Sequence, residues 1–561
     1  MSKKICVDVF AGGGGVSEGY KIATGREIDI AVNHDIKAVA MHKANHPSTL
    51  HYCESIHDVD PVKACAGYLV WMAWFSPTCT HFAYAKGGTP LEQKIRALPW
   101  VEVKWAVAVR PEIMFMENVV EIQTWCPLDE KGRPIKERKG ETFKAFVDVL
   151  TTGLDPDHPA WPEIEEELGT YFNKDQLIKG LGYDVEYREL VGCDYDAPTS
   201  RKRFFMIARC DGKPIVWPKR TNGHPKSLEV QAGKLKPWRT AAEVIDFSRP
   251  CPSIFEDKKK IKEKYGLTAK RPLAPDTLKR TAKGLDKFFI KNPEPFLMHI
   301  NHTGETFRGQ SIDRPFPTIT AKHGYGMVAP VLMQYHDSKE ARGQTADTPL
   351  MTVDASPRYA VTAAFLTKYY SKSIGQRVDE PLHTSTSKDG QGLNVVHIVK
   401  FKGDNKGQTM DMPLQTITTS VGEFGVIKTS LQKIEDTGQD MKYWPQVRGL
   451  LNEHCGYKIA HDEVLLFEIN GEFYFISDIG LRMLTPRELF DGNGFPPNYI
   501  IDVDYYGKSY SKAEQVRRCG NAVPPPFATA LFRANIPEMC TYVQDWNEWD
   551  KKHKERQMSL F

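Results

Sequence analysis

Over the first 210 residues, short apolar runs alternate with stretches of helical spacing. Ile5–Phe10 is apolar except at Asp8 and runs into Ala11-Gly12-Gly13-Gly14-Gly15, after which Val16 begins a helix-like stretch. Ile28–Val32 reads as a second strand. Leu69–Phe75 (LVWMAWF) is unbroken, as a strand covered on both faces should be. Ile95, Leu98, Val101, Trp105 and Ala108 then fall at helical spacing, and Glu112–Met116 and Arg203–Ala208 are further buried strands. This rhythm predicts an α/β fold built on a parallel sheet with helices on both sides.

The middle of the chain has another texture. Residues 215–300 are rich in Pro, Lys and Arg, with one helix predicted after Pro275-Asp276 and ending at Phe288-Phe289. Four repeats follow. Gly309-Gln310, Gly343-Gln344, Gly375-Gln376 and Gly407-Gln408 each precede an aspartate (Asp313, Asp347, Asp379, Asp411) and a Pro/Thr-rich segment: PFPTIT, PLMTVD, PLHTST and PLQTIT. The alternation after a glycine turn predicts β-structure, one hairpin-like unit per repeat. Helix returns at the end. Thr485 is placed to cap one beginning at Pro486, and Gly520-Asn521-Ala522-Val523-Pro524-Pro525-Pro526 opens another.

At 561 residues, two or three domains are expected. No apolar run approaches the roughly 20 residues of a membrane helix. The first lysines lead straight into a strand, so an intracellular protein without a leader is expected. The 11 cysteines form no CxxC pair, which argues against zinc, any other metal and a disulfide framework. The net charge of +3 hides a segregation: residues 211–290 hold 19 Lys/Arg against 9 Asp/Glu. Such a segment is a solvated lysine-rich surface or a set of phosphate contacts.

Four features carry candidate chemistry. The loop Asp8-x-Phe10-x-Gly12-x-Gly14 lets a backbone approach a ligand closely, but it has neither dinucleotide spacing nor a Walker lysine. Cys79, in Ser76-Pro77-Thr78-Cys79-Thr80-His81, lies where a buried strand breaks into a loop, the end at which α/β sheets bind ligands. It is a candidate nucleophile or a packed thiol. Glu117-Asn118-Val119 ends the next strand, where a partly desolvated carboxyl suits a general acid or, equally, a helix cap. Arg201 and Arg203 stand before another strand with their side chains on one face, fit for an anionic or carbonyl-rich substrate or for surface ion pairs.

In this order the features resemble the DNA cytosine-5 methyltransferase family, over about residues 5–210 and 480–535. Arg482-x-Leu484-Thr485-Pro486-Arg487-Glu488 with Gly494-Phe495-Pro496, and Gly520-Asn521-Ala522-Val523-Pro524, match its two late motifs. The resemblance implies a Rossmann-like S-adenosylmethionine methyltransferase sheet with a large β-rich target-recognition domain inserted before the C-terminal helices. The catalytic domain then comprises 1–214 and 476–561. The target-recognition region is 215–475, with its basic segment at 215–300 and its repeats at about 305–430. Cys79 falls on the nucleophile, Glu117 and Asn118 on the ENV motif, and Arg201 and Arg203 on the paired arginines. The implied cofactor contacts are Asp8, Phe10, Ala11, Gly12, Gly14, Asn33, His34, Asp35, Glu54, Ser55, Ile56, Pro77, Asn521 and Ala522.

The chain departs from the family at four points. Thr78 separates Pro77 from Cys79. Asn33 stands where a glutamate holds the ribose hydroxyls. The acid near the adenine amine is Glu54 or is displaced by Ser55, and Thr199 replaces a glutamine. The implied partner is double-stranded DNA, acted on by a monomer, with a restriction endonuclease of the same target as a further expected partner. A tRNA cytosine-5 methyltransferase and a catalytically silent DNA-binding relative are the alternatives.

Overall fold

The computed structural model describes residues 4–78, 96–130, 133–246, 248–286, 290, 441–469 and 472–540, together with strand backbones between 296 and 433. The chain forms two compact units. The first comprises residues 1–197, 201–223 and 493–542; the second comprises 198–200, 224–492 and 543–561.

The first unit is built on seven strands: β1 (Lys4–Val9), β2 (Ile30–Val32), β3 (Leu50–Tyr52), β4 (Leu69–Phe75), β5 (Ile113–Asn118), β6 (Asp184–Val191) and β7 (Lys202–Arg209). Their order across the sheet is β3-β2-β1-β4-β5-β7-β6. The first five run parallel, whereas β7 is antiparallel to both β5 and β6. The sheet is therefore mixed, which corrects the expectation of a wholly parallel one. Only residues 192–201 join β6 to β7, too few for the crossover helix that a parallel neighbour needs. This is a Rossmann-like sheet with one reversed strand near its edge.

Period-two alternation assigns each strand residue to one of two cores. Ile5, Val7, Val9, Ala73, Phe75, Met114, Met116, Phe204 and Met206 join one core. There they meet α3 (Pro61–Cys65), α4 (Trp100–Val109), α5 (Glu141–Leu150) and α6 (Trp161–Leu168). Cys6, Met72, Trp74, Ile113, Phe115, Phe205 and Ile207 face the other way, against α1 (Gly15–Thr24) and α8 (Pro525–Asn535). Two more helices, α2 (Ile36–Asn45) and α7 (Lys512–Asn521), complete the set used below. Trp74 is fully buried, stacked on Phe115 at 5.3 Å and edge-on to Phe532 at 5.4 Å. Burying one such side chain contributes about 1.5–3 kcal/mol.

The second unit has its own core of Ile254, Trp444, Val447, Leu451, Phe475, Ile476 and Ile479. Gln391–Lys400, Phe424–Lys433 and Glu472–Met483 are successive antiparallel neighbours. Every element described between 296 and 433 is a strand, as the repeats predict. The first and fourth repeats pair in parallel, with Pro317 opposite Gln415. The aspartates Asp313, Asp347, Asp379 and Asp411 lie outside the described residues. The cap expected at Thr485 is present: its hydroxyl accepts from Glu488 N at 3.3 Å, and Glu488 Oε2 accepts from Thr485 N at 2.7 Å. Arg482 closes on the same carboxylate at 3.0 Å.

The α1–α8 contact passes through Gly19, where an added Cβ would sit 2.6 Å from the Pro525 carbonyl oxygen and 2.7 Å from Ala528 Cβ. Alanine normally favours a helix over glycine by about 1 kcal/mol, but overpacking here costs about 1–3 kcal/mol. Gly19→Ala should therefore lower the denaturation midpoint; a raised midpoint would contradict the close crossing.

Candidate catalytic and cofactor cleft

Strands β1 to β5 run parallel, so their carboxyl ends share one edge of the sheet, and antiparallel β7 begins at that edge. The ladder continues one step past the strands. Ala11 N donates to Val32 O (3.0 Å), Asn33 N to Tyr52 O (3.1 Å) and Ser76 N to Val9 O (3.2 Å). The segments Phe10–Gly14, Asn33–Asp35, Cys53–Ile56, Ser76–Thr78 and Val119 thus emerge side by side, at the usual ligand-binding edge of such sheets.

In the glycine loop, Phe10, Gly12 and Gly14 have φ of 65°, 54° and 93°. Left-handed backbone suits glycine and strains phenylalanine. The glycines divide their tasks. A Cβ on Gly14 would collide with the Tyr499 hydroxyl and press on the His42 and His46 rings at 3.2 Å, and one on Gly15 would collide with the Val523 carbonyl. Gly14 and Gly15 therefore make room for the protein itself. At Gly12 the nearest atom is the Phe10 carbonyl at 3.9 Å, so the space beside Gly12 is open.

The remaining predicted cofactor residues differ in their freedom. Asp35 caps α2, accepting from Lys37 N at 2.9 Å and Ala38 N at 3.4 Å, and pairs with Arg517 at 2.8 Å. Ile56 belongs to the apolar core. These two serve the scaffold. Asn33 Oδ1 accepts from Asp35 N at 2.9 Å and shapes its own turn. Asn33 and Ser55 are half-buried; His34, Glu54 and Asn521 are exposed; Ala11, Pro77 and Ala522 are buried.

The strand alternation also sorts the catalytic candidates. Glu117 follows the parity of Ile113 and Phe115, and Arg203 that of Phe205 and Ile207, so both project toward the α1/α8 face. They meet there, Arg203 Nε lying 3.1 Å from Glu117 Oε1, both side chains 10% exposed. Asn118 takes the opposite parity, and its Nδ2 donates to the Pro77 carbonyl at 3.0 Å, within the protein. It thereby holds the segment leading to Cys79, which itself lies outside the described residues. Arg201 has a different partner from Arg203: its Nη1 donates to the Gly520 carbonyl at 3.0 Å.

A polar cluster beneath the loop went unread in the sequence. Ser17 Oγ lies 2.8 Å from Asp8 Oδ2 and 2.9 Å from His42 Nε2, and His42 Nδ1 lies 2.8 Å from His51 Nε2. His46, one turn along α2, lies 3.6 Å from Glu18, and Tyr499 donates to the Gly13 carbonyl. The i, i+4 spacing of His42 and His46 was the available signal. Burial pushes His46 down to about 3 and lowers His42 and His51. Burial also raises Asp8 to about 7 and Glu18 to about 7.

These shifts oppose one another. For each histidine the unfolded chain takes up protons first as pH falls below about 6.5, so the folded state loses stability toward acid. For Asp8 and Glu18 the folded state holds the proton more tightly, so their contribution grows as pH falls from about 7 to about 4. His46→Gln isolates one contribution. The unfolding free energy of the wild type relative to that variant should fall between pH 7 and 4, by up to about 1.4 kcal/mol per pH unit. A pH-independent difference would contradict a neutral buried His46.

Among the described residues no group of three or more His, Cys, Asp or Glu side chains is placed to hold a metal ion, and no helix is long and apolar enough to cross a membrane. Comparison with known proteins points in one direction. The family described as C-5 cytosine-specific DNA methylase matches residues 366–536. The Type II methyltransferase M.XorII of Xanthomonas oryzae pv. oryzae is 25% identical over 222 residues, 38% of this chain and 42% of that protein. The Type II methyltransferase M.AgeI of Thalassovita gelatinovora is 24% identical over 230 residues, 40% and 44% of the two chains. The chain thus spans less than half the length of the curated relatives it matches. Among solved structures, a Spodoptera frugiperda DNMT2 is 14% identical over 95% of this chain and 99% of that one, with a TM-score of 0.38. At that TM-score the superposition adds nothing to the strand order given above.

Proposed function

We propose that this chain, which matches the family described as C-5 cytosine-specific DNA methylase over residues 366–536, methylates carbon 5 of a cytosine flipped out of duplex DNA, using S-adenosylmethionine. The observation that carries the reading is the convergence, at one edge of the sheet, of the Glu117–Arg203 pair and the Asn118–Pro77 bond. A carboxyl group, a cation and a fixed loop leading to a thiol are what addition to a pyrimidine ring requires.

A stacked cytosine is out of reach of such a recess, so the base must leave the helix. The Cys79 thiolate adds to C6, which turns C5 into an enamine-like nucleophile. Glu117 shares a proton with ring N3 as charge builds there, and Arg203 steadies both the Glu117 carboxylate and the O2 of the base. Arg201, on the Gly520 carbonyl, is a positioning residue. Asn118 fixes the Pro77 carbonyl and with it the approach of Cys79. Loss of the C5 proton and of the Cys79–C6 bond regenerates the thiol.

The residues present fit the cofactor. Asp8 Oδ1 is a buried acceptor with no hydrogen-bond partner among the described residues, and the position beside Gly12 is open. Phe10, half-buried at the head of the loop, offers a ring face, and the half-buried amide of Asn33 offers polar atoms without charge. Phe10, Gly12, Asn33, Ser55 and Ala522 would line the pocket, with Asp8 beneath it. When bound, S-adenosylmethionine supplies the methyl group. Residues of about 215–475 form the target-recognition region in this reading. Support comes from helix Lys258–Tyr265, where Ile261 is buried while Lys258, Lys259, Lys260, Lys262 and Lys264 are exposed.

Methyl transfer to duplex DNA should vanish in Cys79→Ala while its fold and DNA binding persist; normal product from that variant would remove Cys79 from the mechanism. Glu117→Gln should slow single-turnover transfer by about 10²–10⁴-fold, and an unchanged rate would refute its role. Preferential transfer to tRNA in the same assay would favour the RNA-directed alternative. Affinity for any duplex should fall at least about tenfold between about 50 and 200 mM salt, and insensitivity would exclude phosphate contacts by the basic stretch 217–287.

A further inference from the structure

We propose that Ser17, His42 and His51 are positioning residues, joined to Asp8 in a hydrogen-bond chain of one direction that holds the Phe10–Gly14 loop in its cofactor-binding shape. The proposal rests on the cofactor reading above for what the loop binds. The direction of the chain follows from this protein's own atoms.

Ser17 has one hydroxyl hydrogen and two neighbours, Asp8 Oδ2 at 2.8 Å and His42 Nε2 at 2.9 Å. An ionised carboxylate only accepts, so the hydrogen goes to Asp8. Ser17 Oγ must then accept from His42, which places the imidazole proton on Nε2. A neutral ring carries one such proton, so His42 Nδ1 is bare and accepts from His51 Nε2 at 2.8 Å. Three bonds use three hydrogens, all pointing inward from half-buried His51 to fully buried Asp8. Burial holds the His42 ring neutral, and above the Asp8 value of about 7 the carboxylate is the acceptor that sets this direction.

Packing alone does not account for the arrangement. Asp8 stands on β1, Ser17 on α1, His42 on α2 and His51 on β3. These elements bear the loops Phe10–Gly14, Asn33–Asp35 and Cys53–Ile56, so the chain ties together three walls of the candidate pocket. The His42 ring stands beside the loop: its Cδ2 lies 3.2 Å from where a Cβ on Gly14 would be, as does that of His46. The ring whose orientation the chain fixes is therefore a neighbour of the loop's left-handed turn. Among the described residues Asp8 Oδ1 has no donor, which leaves the inner end of the chain with one acceptor to fill.

The test uses the full chain labelled with ¹⁵N-histidine, at pH 8 and without cofactor. Long-range proton–nitrogen spectra should show His42 as the neutral Nε2–H tautomer, and Ser17→Ala should change its signals. Calorimetry with S-adenosylhomocysteine should then show about tenfold weaker binding for Ser17→Ala and for His51→Phe, with binding restored in Ser17→Thr and duplex DNA affinity unchanged. A charged or Nδ1–H His42 overturns the chain. A folded Ser17→Ala that binds S-adenosylhomocysteine as the wild type does overturns the positioning role. A wild type that binds no S-adenosylhomocysteine overturns that role and the cofactor reading together, while the tautomer still reports separately on the chain.

Discussion

The first unit depends on one contact between distant stretches of sequence: the glycine face of the first βα turn against the returning segment 493–535. Gly14 receives the Tyr499 hydroxyl, Gly15 the Val523 carbonyl, and Gly19 the backbone at Pro525. A side chain at any of them would push the returning segment away, and with it α8, which supplies Phe527, Ala528, Leu531 and Phe532 to one hydrophobic core. Protein interiors are packed too densely to absorb such displacements without loss. The same contact brings the Gly520 carbonyl to Arg201 and Asp35 to Arg517. The cleft and the closure of the fold are therefore one problem, and the glycine loop answers both.

Alternation along four strands explains how chemistry is delivered to this edge. Successive side chains enter opposite cores, so the residues that end β5 project to opposite faces. Glu117 meets Arg203 on one face, and Asn118 meets the Pro77 carbonyl on the other. A one-residue slip of β5 against β7 would exchange the two and separate the ion pair. The apolar run Ile113–Met116, buried throughout, makes that slip costly.

Much of this was legible in sequence because it is local. Leu69–Phe75 and Ile113–Met116 announce buried strands, and the parity of Glu117 and Arg203 can be counted along the chain. The Thr485–Glu488 cap is a short-range signal and appears as expected. What was not legible is contact between elements. The direction of β7 depends on a connection too short to cross over. The Ser17–His42–His51 chain joins three elements whose spacing in sequence suggests nothing. Glycines that look made for a ligand prove, at Gly14 and Gly15, to receive the protein's own later segment.

Modification of cytosine in DNA through Cys79, as proposed, can be read by expressing the chain in a bacterial host free of cytosine methylation and sequencing the genome after bisulfite treatment, with Cys79→Ala beside it. Protected cytosines are expected in one recurring sequence in the first strain and none in the second. An unprotected genome in cells that hold the folded protein, or equal protection with the variant, would overturn the proposed chemistry.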